Sequence, residues 1–203
     1  MVDRAIVGIP ESSYNPEMDL ESNELHIWTN KHVPETITGT LSKDFQRKIL
    51  SRYLHCHPSV LPVSYQDSGK PFIADSSFTY NVSHSCGRFV LVVGKETPLG
   101  VDIEKIRPIL LYEKIAKRLF PESWHSELSR TPDKEYAFIC LWTKFESLKK
   151  AKGEPLFIKR GEEPNSLQAQ TPWQHMRIPR LDDYIGWITV KKNVYRLSFF
   201  EIE

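Results

Sequence analysis

The chain has 203 residues, of which 40% are hydrophobic, and its 27 basic and 26 acidic side chains give a formal net charge of +1. This composition allows a sizeable buried core, in one domain or in two closely packed halves, and it argues against a nucleic-acid-binding protein. The N-terminal apolar run after Arg4 is too short for a signal peptide or a membrane span. We therefore expect a cytoplasmic protein with no membrane partner.

Short runs rich in β-branched and aromatic residues predict five strands along the chain. In order they cover residues 25–29, 89–94, 99–104, 187–189 and 195–201. Residues 44–55 and 111–119 predict helices, and a longer helix is predicted from Asp133 to Lys152, before a natural stop at Gly153. Residues 121–132 and 153–179 predict irregular connections. The mixture of elements is typical of an α/β or α+β fold.

The cysteines give no indication of a disulfide framework. The chain has three of them, Cys56, Cys86 and Cys140, and an odd number in a chain of this size argues against paired bridges. His55 and His57 flank Cys56, but their spacing places no two of these side chains on one helical face. No second ligand pair follows, so a plain helix end is favoured over a zinc site.

Two acidic residues, Asp102 and Glu104, alternate with Val101 and Ile103 in the predicted strand 99–104. In an extended strand the two acids point to the same side. Unpaired carboxylates on one strand face repel each other unless a cation shares them or they lie in solvent. The pair is therefore either part of a site for a hard cation or an exposed strand face near a turn.

The predicted helix 133–152 has one apolar stripe and a charged pair at its edge. The stripe recurs at three- and four-residue steps and consists of Phe138, Leu141, Trp142, Phe145 and Leu148. Glu146 and Lys150 lie one turn apart beside it. Alone they would form an exposed ion pair worth about 0.3–0.5 kcal/mol. Together with the two strand acids they could hold a divalent cation against a polyphosphate.

Four short blocks, in this order and spacing, resemble a known family. They read Gly-Lys-Pro at 69–71, Asn-Val-Ser-His-Ser at 81–85, Gly-Val-Asp-Ile-Glu at 100–104 and Trp-Thr-Lys-Phe-Glu-Ser at 142–147. The chain resembles the 4′-phosphopantetheinyl transferases of the larger, single-chain type, similar to the surfactin-synthetase activating enzyme. The resemblance covers residues 26–153 well and the remainder loosely.

The resemblance implies a particular domain organisation. Two similar α/β halves would pack as a pseudo-dimer within one chain, with the ligand cleft between them. Residues 1–23 would be an N-terminal extension, residues 24–97 the first half, and residues 98–203 the second half with the metal site. Since one chain supplies both halves, a monomer would be sufficient.

The resemblance also implies an activity and the residues that carry it. The implied reaction is Mg²⁺-dependent transfer of 4′-phosphopantetheine from coenzyme A to a serine of an acyl or peptidyl carrier protein. Asp102, Glu104 and Glu146 match the family's Mg²⁺ ligands. Glu146 also matches the proposed general base on the serine, and Lys150 matches the lysine that faces the phosphate under attack and the departing 3′,5′-ADP.

Three further residues, Lys70, Ser83 and His84, match positions that bind the nucleotide and its phosphates in that family. Alternative interpretations remain open for the last two. Ser83 and Ser85 could equally cap the chain turn that follows, and a histidine after a strand that ends at Val82 is ordinarily a structural residue.

Three positions depart from the family pattern. Phe145 replaces a lysine before the catalytic glutamate, and Lys144 cannot substitute, because a one-residue shift rotates a helical side chain by about 100°. Trp124 stands where the family often has a glutamate. Thr38 stands in place of an arginine for the 3′-phosphate, and the open substitutes are Lys31, Lys43, Arg47 and Lys48.

These departures motivate two alternatives to the transferase. The first is a degenerate, non-catalytic relative that binds coenzyme A or a carrier protein. The second is an unrelated metal-dependent phosphohydrolase, which would need an activated water and no protein acceptor.

Overall fold

The computed structural model describes residues 2–6, 18–30, 35–155, 173–179, 181–191, 194 and 196–202. Within these ranges the chain forms ten strands and four α-helices. The strands are β1 (Val2–Ile6), β2 (Glu24–Asn30), β3 (Val63–Tyr65), β4 (Pro71–Ile73), β5 (Phe78–Ser85), β6 (Arg88–Lys95), β7 (Leu99–Lys105), β8 (Gln174–Arg177), β9 (Tyr184–Val190) and β10 (Arg196–Ile202). The helices are α1 (Glu35–Tyr53), α2 (Tyr112–Leu119), α3 (Glu122–Arg130) and α4 (Lys134–Lys152).

The elements predicted from the sequence are all present. β2, β6, β7, β9 and β10 cover the five predicted strands, and α2 and α4 lie within one residue of their predicted bounds. The Asp133 carboxylate caps α4 by accepting a hydrogen bond from the Tyr136 N–H at 3.0 Å. Gly153 ends the helix with a φ of 70°, a conformation that glycine adopts without strain.

Two helical segments differ from the prediction. α1 begins at Glu35, well before the predicted start at 44, although Thr36 and Gly39 are weak helix formers. A helix of this kind depends on packing more than on propensity, so local propensity does not predict its first turns. α3 occupies the predicted irregular connection 121–132, and its Trp124 and Leu128, one turn apart, pack into the cluster around α4.

Four strand features were also missed or cut short, and the first is β1, which lies in the predicted N-terminal extension 1–23 and pairs with β10. β5 continues through Ser85, whereas the sequence suggested a strand end at Val82. The hairpin of β3 and β4 lies just before it. β8 lies in the predicted irregular stretch 153–179, of which residues 156–172 fall outside the described part.

The strands form two larger sheets and a hairpin, in agreement with the expected α/β class. The five-stranded sheet has the order β1-β10-β2-β6-β5, in which β1, β10 and β2 are parallel and the other pairings antiparallel. The antiparallel three-stranded sheet has the order β7-β9-β8. The pseudo-dimer and the boundary at 97/98 stay predictions. β10, which that boundary assigns to the second half, pairs with β2 of the first.

Three apolar clusters fill the described part of the molecule. One joins the facing residues of the two larger sheets, a second lies around α1, and a third surrounds α2, α3 and α4. Cys56, Cys86 and Cys140 are free thiols. Among the described residues no helix is both long enough and apolar enough to cross a membrane.

α4 lies directly on β7 at a glycine. A Cβ atom on Gly100 would overlap the Ser147 carbonyl oxygen and the main-chain nitrogen of Ala151, so only glycine permits this approach. Nearby, the hydroxyls of Ser147 and Thr189 share a hydrogen bond of 2.8 Å that fixes α4 against β9. The close contact determines how far the side chains of α4 reach across β7.

We predict that Gly100→Ala destabilises the fold far more than Gly94→Ala. At Gly100 the obstacle is helix backbone, and we expect a loss of about 3 kcal/mol in urea unfolding. At Gly94 the nearest atoms are the Cδ2 atoms of Leu99 (2.8 Å) and Leu25 (2.9 Å), which can rotate away, and we expect about 1 kcal/mol. Equal losses in the two variants would contradict the role given to the Gly100 contact.

Candidate active site

Side chains of β5 form hydrogen bonds with the main chain of β7, although the two strands belong to different sheets. Alternate residues of β5 turn polar side chains toward β7, and each accepts a hydrogen bond from the main-chain N–H of the residue twenty positions further along the chain. The bonds are Val101 N to Asn81 Oδ1 (2.8 Å), Ile103 N to Ser83 Oγ (3.3 Å) and Lys105 N to Ser85 Oγ (3.3 Å). The constant offset means that the two strands run parallel and in register.

The two serines of this ladder also bind the two acids of β7. Ser83 Oγ donates to Asp102 Oδ1 at 2.9 Å, and Ser85 Oγ donates to Glu104 Oε2 at 2.8 Å. Asp102 is only 2% exposed. The predicted orientation of both acids to one side of β7 is therefore realised, and the side they share faces β5 and α4 rather than open solvent.

Lys150 of α4 reaches the same point. Its Nζ lies 2.7 Å from Asp102 Oδ1 and donates a second hydrogen bond to Ser83 Oγ at 3.1 Å. A buried carboxylate needs such a charged partner, because desolvation without one is costly. The structure thus brings together Ser83, Asp102 and Lys150, which are far apart in the sequence.

Glu146 lies one turn before Lys150 and is nearly buried. Burial, reinforced by the nearby charge of Asp102, raises the pKa of Glu146 to about 9. Burial also raises the pKa of Glu104, against the hydrogen bond from Ser85. Glu104 and Glu146 therefore resist ionisation beside Asp102, as clustered acids do when no cation neutralises them.

The chemistry of the donor set suits a hard divalent cation. The Oδ2 atom of Asp102 is buried and accepts no hydrogen bond from an N–H or hydroxyl group of the described residues, and the charge of Asp102 disfavours ionisation of the neighbouring Glu146. A cation would satisfy the orphaned oxygen and relieve the repulsion. As the side chains stand, no three His, Cys, Asp or Glu residues within the described ranges are grouped tightly enough to hold a metal ion. Binding would therefore require side-chain adjustment.

Two of the predicted nucleotide-binding residues do not join this group. His84 is exposed and lies on β5 between Ser83 and Ser85, so it points to the opposite side of the strand. Lys70 lies at the β3–β4 turn, and its Nζ donates to the carbonyl oxygens of Leu99 (2.8 Å) and Lys150 (2.6 Å). Their roles toward a nucleotide stay predictions.

The departures from the family pattern have structural consequences. Phe145 is 2% exposed and packs beside Phe120, with 6.0 Å between ring centroids, so it continues the apolar stripe. The Lys144 ammonium lies between two indoles, 5.5 Å from the ring centroid of Trp124 and 5.4 Å from that of Trp187. These distances are typical of cation–π contacts, and they direct Lys144 away from the carboxylates.

Of the candidates for binding a 3′-phosphate, Arg47 is bound to main-chain oxygens of the protein, and Lys31 lies outside the described residues. The guanidinium group of Arg47 donates to the carbonyl oxygens of Pro58, Ser59 and Leu61, so it caps the short 3₁₀ turn after α1. Lys31 lies outside the described residues, as does the side chain of Thr38.

Sequence reasoning missed the structural part played by Asn81 and Ser85. The pattern that could have revealed it is the polar alternation of Asn81, Ser83 and Ser85 in β5, matched twenty positions later by the strand with alternating acids. Polar side chains at every second position on the buried side of a strand need partners. Here the partners are the main-chain N–H groups of β7.

A family comparison matches the part of the chain that carries the acids. Residues 98–184 match the model of the 4′-phosphopantetheinyl transferase superfamily. This segment includes Asp102, Glu104, Glu146 and Lys150, as well as α2, α3 and α4, and it ends at the first residue of β9.

Individual proteins extend this similarity. The 4′-phosphopantetheinyl transferase HetI of Nostoc sp. is 26% identical over an alignment of 215 positions, gaps included, which covers 86% of this chain and 91% of that protein. The transferase Sfp of Bacillus subtilis is 38% identical over 115 residues, 55% of this chain and 50% of Sfp. The transferase AcpT of Salmonella typhi is 34% identical over 110 residues, 53% of this chain and 56% of AcpT. The chain thus aligns with about half the length of the last two.

We predict that Glu146→Gln stabilises the metal-free protein. The pKa of Glu146 is raised above its unfolded value, so the unfolded state loses the proton first, and this residue increasingly destabilises the fold as pH rises from about 4.5 toward 9. In EDTA, the melting temperature of the variant should exceed that of the wild type by a few degrees, roughly 2–4 °C per kcal/mol relieved, and the gap should widen between pH 5.5 and pH 8.

Glu122→Gln, at an exposed position in the first turn of α3, is the matched control. It should show no widening gap. A Glu146→Gln variant that is less stable than the wild type at pH 8 in EDTA would contradict the repulsion among the acids.

Proposed function

We propose that this chain belongs to the 4′-phosphopantetheinyl transferase superfamily and moves 4′-phosphopantetheine from coenzyme A to a serine of an acyl or peptidyl carrier protein with the help of Mg²⁺. The observation that carries the proposal is the convergence of Lys150 from α4 and Ser83 from β5 on Asp102 of β7, with Glu146 beside them. A cation-binding acid set beside a fixed lysine is what transfer from a pyrophosphate requires.

The reaction exchanges one phosphorus–oxygen bond for another. The serine oxygen of the carrier forms a bond to the phosphorus that bears the pantetheine arm, and the bond from that phosphorus to the oxygen of the ADP portion breaks. The serine proton leaves to a base, and the 3′,5′-ADP departs with the electron pair. No covalent intermediate with the protein is needed.

Glu146 is the proposed base. A serine hydroxyl brought close to both the proposed Mg²⁺ and this carboxylate would lose its proton more readily than in water. Glu146 would take the serine proton directly or through one water. Lys150 would stabilise the negative charge that develops on the departing phosphate, since its ammonium group lies beside Asp102 in the proposed site.

Asp102, Glu104 and Glu146 are the proposed Mg²⁺ ligands. Mg²⁺ prefers a few carboxylates together with phosphate oxygens and water, and three acids fit that preference. When bound, the ion would neutralise charge on the pyrophosphate. The donor set supports this assignment through the orphaned Asp102 oxygen and the raised pKa values of Glu104 and Glu146.

Coenzyme A and a carrier protein are the proposed partners. Lys70, Ser83 and His84 match the family's contacts for the nucleotide and its phosphates, and Ser83 and His84 are the contacts proposed here. Ser83 lies in the acid cluster, while His84 lies on the outer side of β5. A nucleotide that touches both would have to pass over the edge of the five-stranded sheet, where β5 is the last strand. One chain supplies every residue named, so a monomer in the cytoplasm is sufficient for this activity.

The main alternative is a relative that binds coenzyme A or a carrier protein without transfer. Phe145 motivates it, because a buried aromatic ring replaces a lysine next to Glu146. The intact set of Asp102, Glu104, Glu146 and Lys150 speaks for catalysis. A phosphohydrolase would consume coenzyme A without any carrier, so a carrier-free reaction separates it from both.

We predict that apo carrier proteins incubated with this protein, coenzyme A and Mg²⁺ gain the mass of one phosphopantetheine group, and that EDTA prevents the gain. Asp102→Asn should lower the rate at least about 100-fold while the fold persists, since it removes a central charge from the proposed ligand set. Intact-protein mass spectrometry on a panel of carriers measures both.

Glu122→Gln serves as the control here too and should retain wild-type transfer. No mass gain on any carrier, with coenzyme A still bound, would favour the non-catalytic relative. Full transfer by Asp102→Asn would refute the site assignment, and loss of coenzyme A without a carrier would indicate the hydrolase.

A further inference from the structure

Lys70 occupies an unusual place for a residue that matches a phosphate-binding position. It lies at the turn between β3 and β4, where Gly69 has a φ of 80° and the Lys70 carbonyl oxygen accepts a hydrogen bond from the Gln66 N–H at 2.9 Å. The side chain then enters the protein instead of extending into solvent. Burial lowers the pKa of Lys70 to about 8.

The ammonium group of Lys70 joins the two elements that carry the proposed active site. Its Nζ donates to the carbonyl oxygen of Leu99, the first residue of β7, at 2.8 Å. It also donates to the carbonyl oxygen of Lys150, in the last turn of α4, at 2.6 Å. Two of its three N–H donors are therefore committed to main-chain oxygens.

The contact with Lys150 matters because a helix leaves its last carbonyl groups without helical partners and with partial negative charge. At this helix end the Gly153 N–H reaches the Lys150 oxygen at 3.2 Å, and the Glu154 N–H reaches the Lys149 oxygen at 3.0 Å. The Lys70 ammonium adds a charged hydrogen bond to the same carbonyl, and such bonds are roughly twice as strong as neutral ones. It thus holds the backbone of the residue whose side chain binds Asp102.

We infer that Lys70 is a positioning residue for Lys150: it ties the last turn of α4 to the start of β7 and so keeps the Lys150 ammonium at Asp102 and Ser83. This inference rests on the proposed function for its catalytic consequence, though not for the contact itself. Lys70 acts on the reaction through the helix backbone, rather than mainly as a ligand of the nucleotide phosphates.

Steady-state kinetics separates these two roles. If Lys70 positions Lys150, Lys70→Met lowers kcat about tenfold or more and changes the KM for coenzyme A by less than about twofold, since a misplaced group costs chemistry more than binding. If Lys70 mainly binds phosphate, KM rises and kcat is retained. Lys95→Met, at the far end of β6, is the matched control and should leave both parameters unchanged.

A double-mutant cycle tests whether the effect passes through Lys150. In a Lys150→Met background, adding Lys70→Met should lower the remaining rate by less than about twofold. The same tenfold loss in both backgrounds would overturn the inference. Lys70→Gln, which keeps a donor on a shorter side chain, serves if Lys70→Met does not fold.

Hydrogen exchange provides a readout that does not depend on activity. Exchange at the amides of Gly153 and Glu154 should accelerate about tenfold in Lys70→Met and remain unchanged in Lys95→Met. Unchanged exchange in Lys70→Met would refute the tie, whatever the kinetics. If the wild-type protein transfers nothing, the proposed function fails while the exchange result still decides whether Lys70 holds the end of α4.

Discussion

The side-chain ladder from β5 to β7 is the constraint on which the rest of the site depends. The two strands share no sheet, yet Asn81, Ser83 and Ser85 bind the main chain of β7 at successive alternate positions. This parallel pairing through side chains orients Asp102 toward Ser83 and Glu104 toward Ser85. A change of one residue in register would turn both acids to the other side of β7.

The clustered acids of this site lower the stability of the fold, and a few specific contacts offset part of that cost. Glu146 is buried, Glu104 is half-buried, and the pKa values of both are raised; one oxygen of Asp102 accepts no hydrogen bond from an N–H or hydroxyl group in the described part of the chain. Lys150 offsets part of this cost through its ion pair with Asp102. The close approach of α4 at Gly100 and the Lys70 contact determine where Lys150 lies. Structural and chemical roles are therefore shared by the same few residues, as is common where function requires strain.

The sequence predicts the parts of the site that depend on local periodicity. The orientation of Asp102 and Glu104 follows from strand alternation, and the placement of Glu146 beside Lys150 follows from helical spacing bounded by Asp133 and Gly153. What it does not predict depends on contacts distant in the chain. Helical propensity gives no sign that α1 begins at Glu35, and nothing local reveals that Lys70 reaches a carbonyl eighty positions away. The extra length of β5 also depends on such a contact, since β5 pairs with β6 as far as Ser85. Because His84 is therefore part of the strand, its side chain lies on the side of β5 opposite to that of Ser83.

The most direct test of the central claim is calorimetric titration of coenzyme A into the protein with and without Mg²⁺. If the acids around Asp102 bind the ion together with the pyrophosphate, Mg²⁺ tightens coenzyme A binding about tenfold or more in the wild type. In Asp102→Asn the affinity without Mg²⁺ should persist, while the Mg²⁺-dependent gain falls below about twofold. The same gain in both proteins would mean that the ion binds elsewhere, and the account of this site would be wrong.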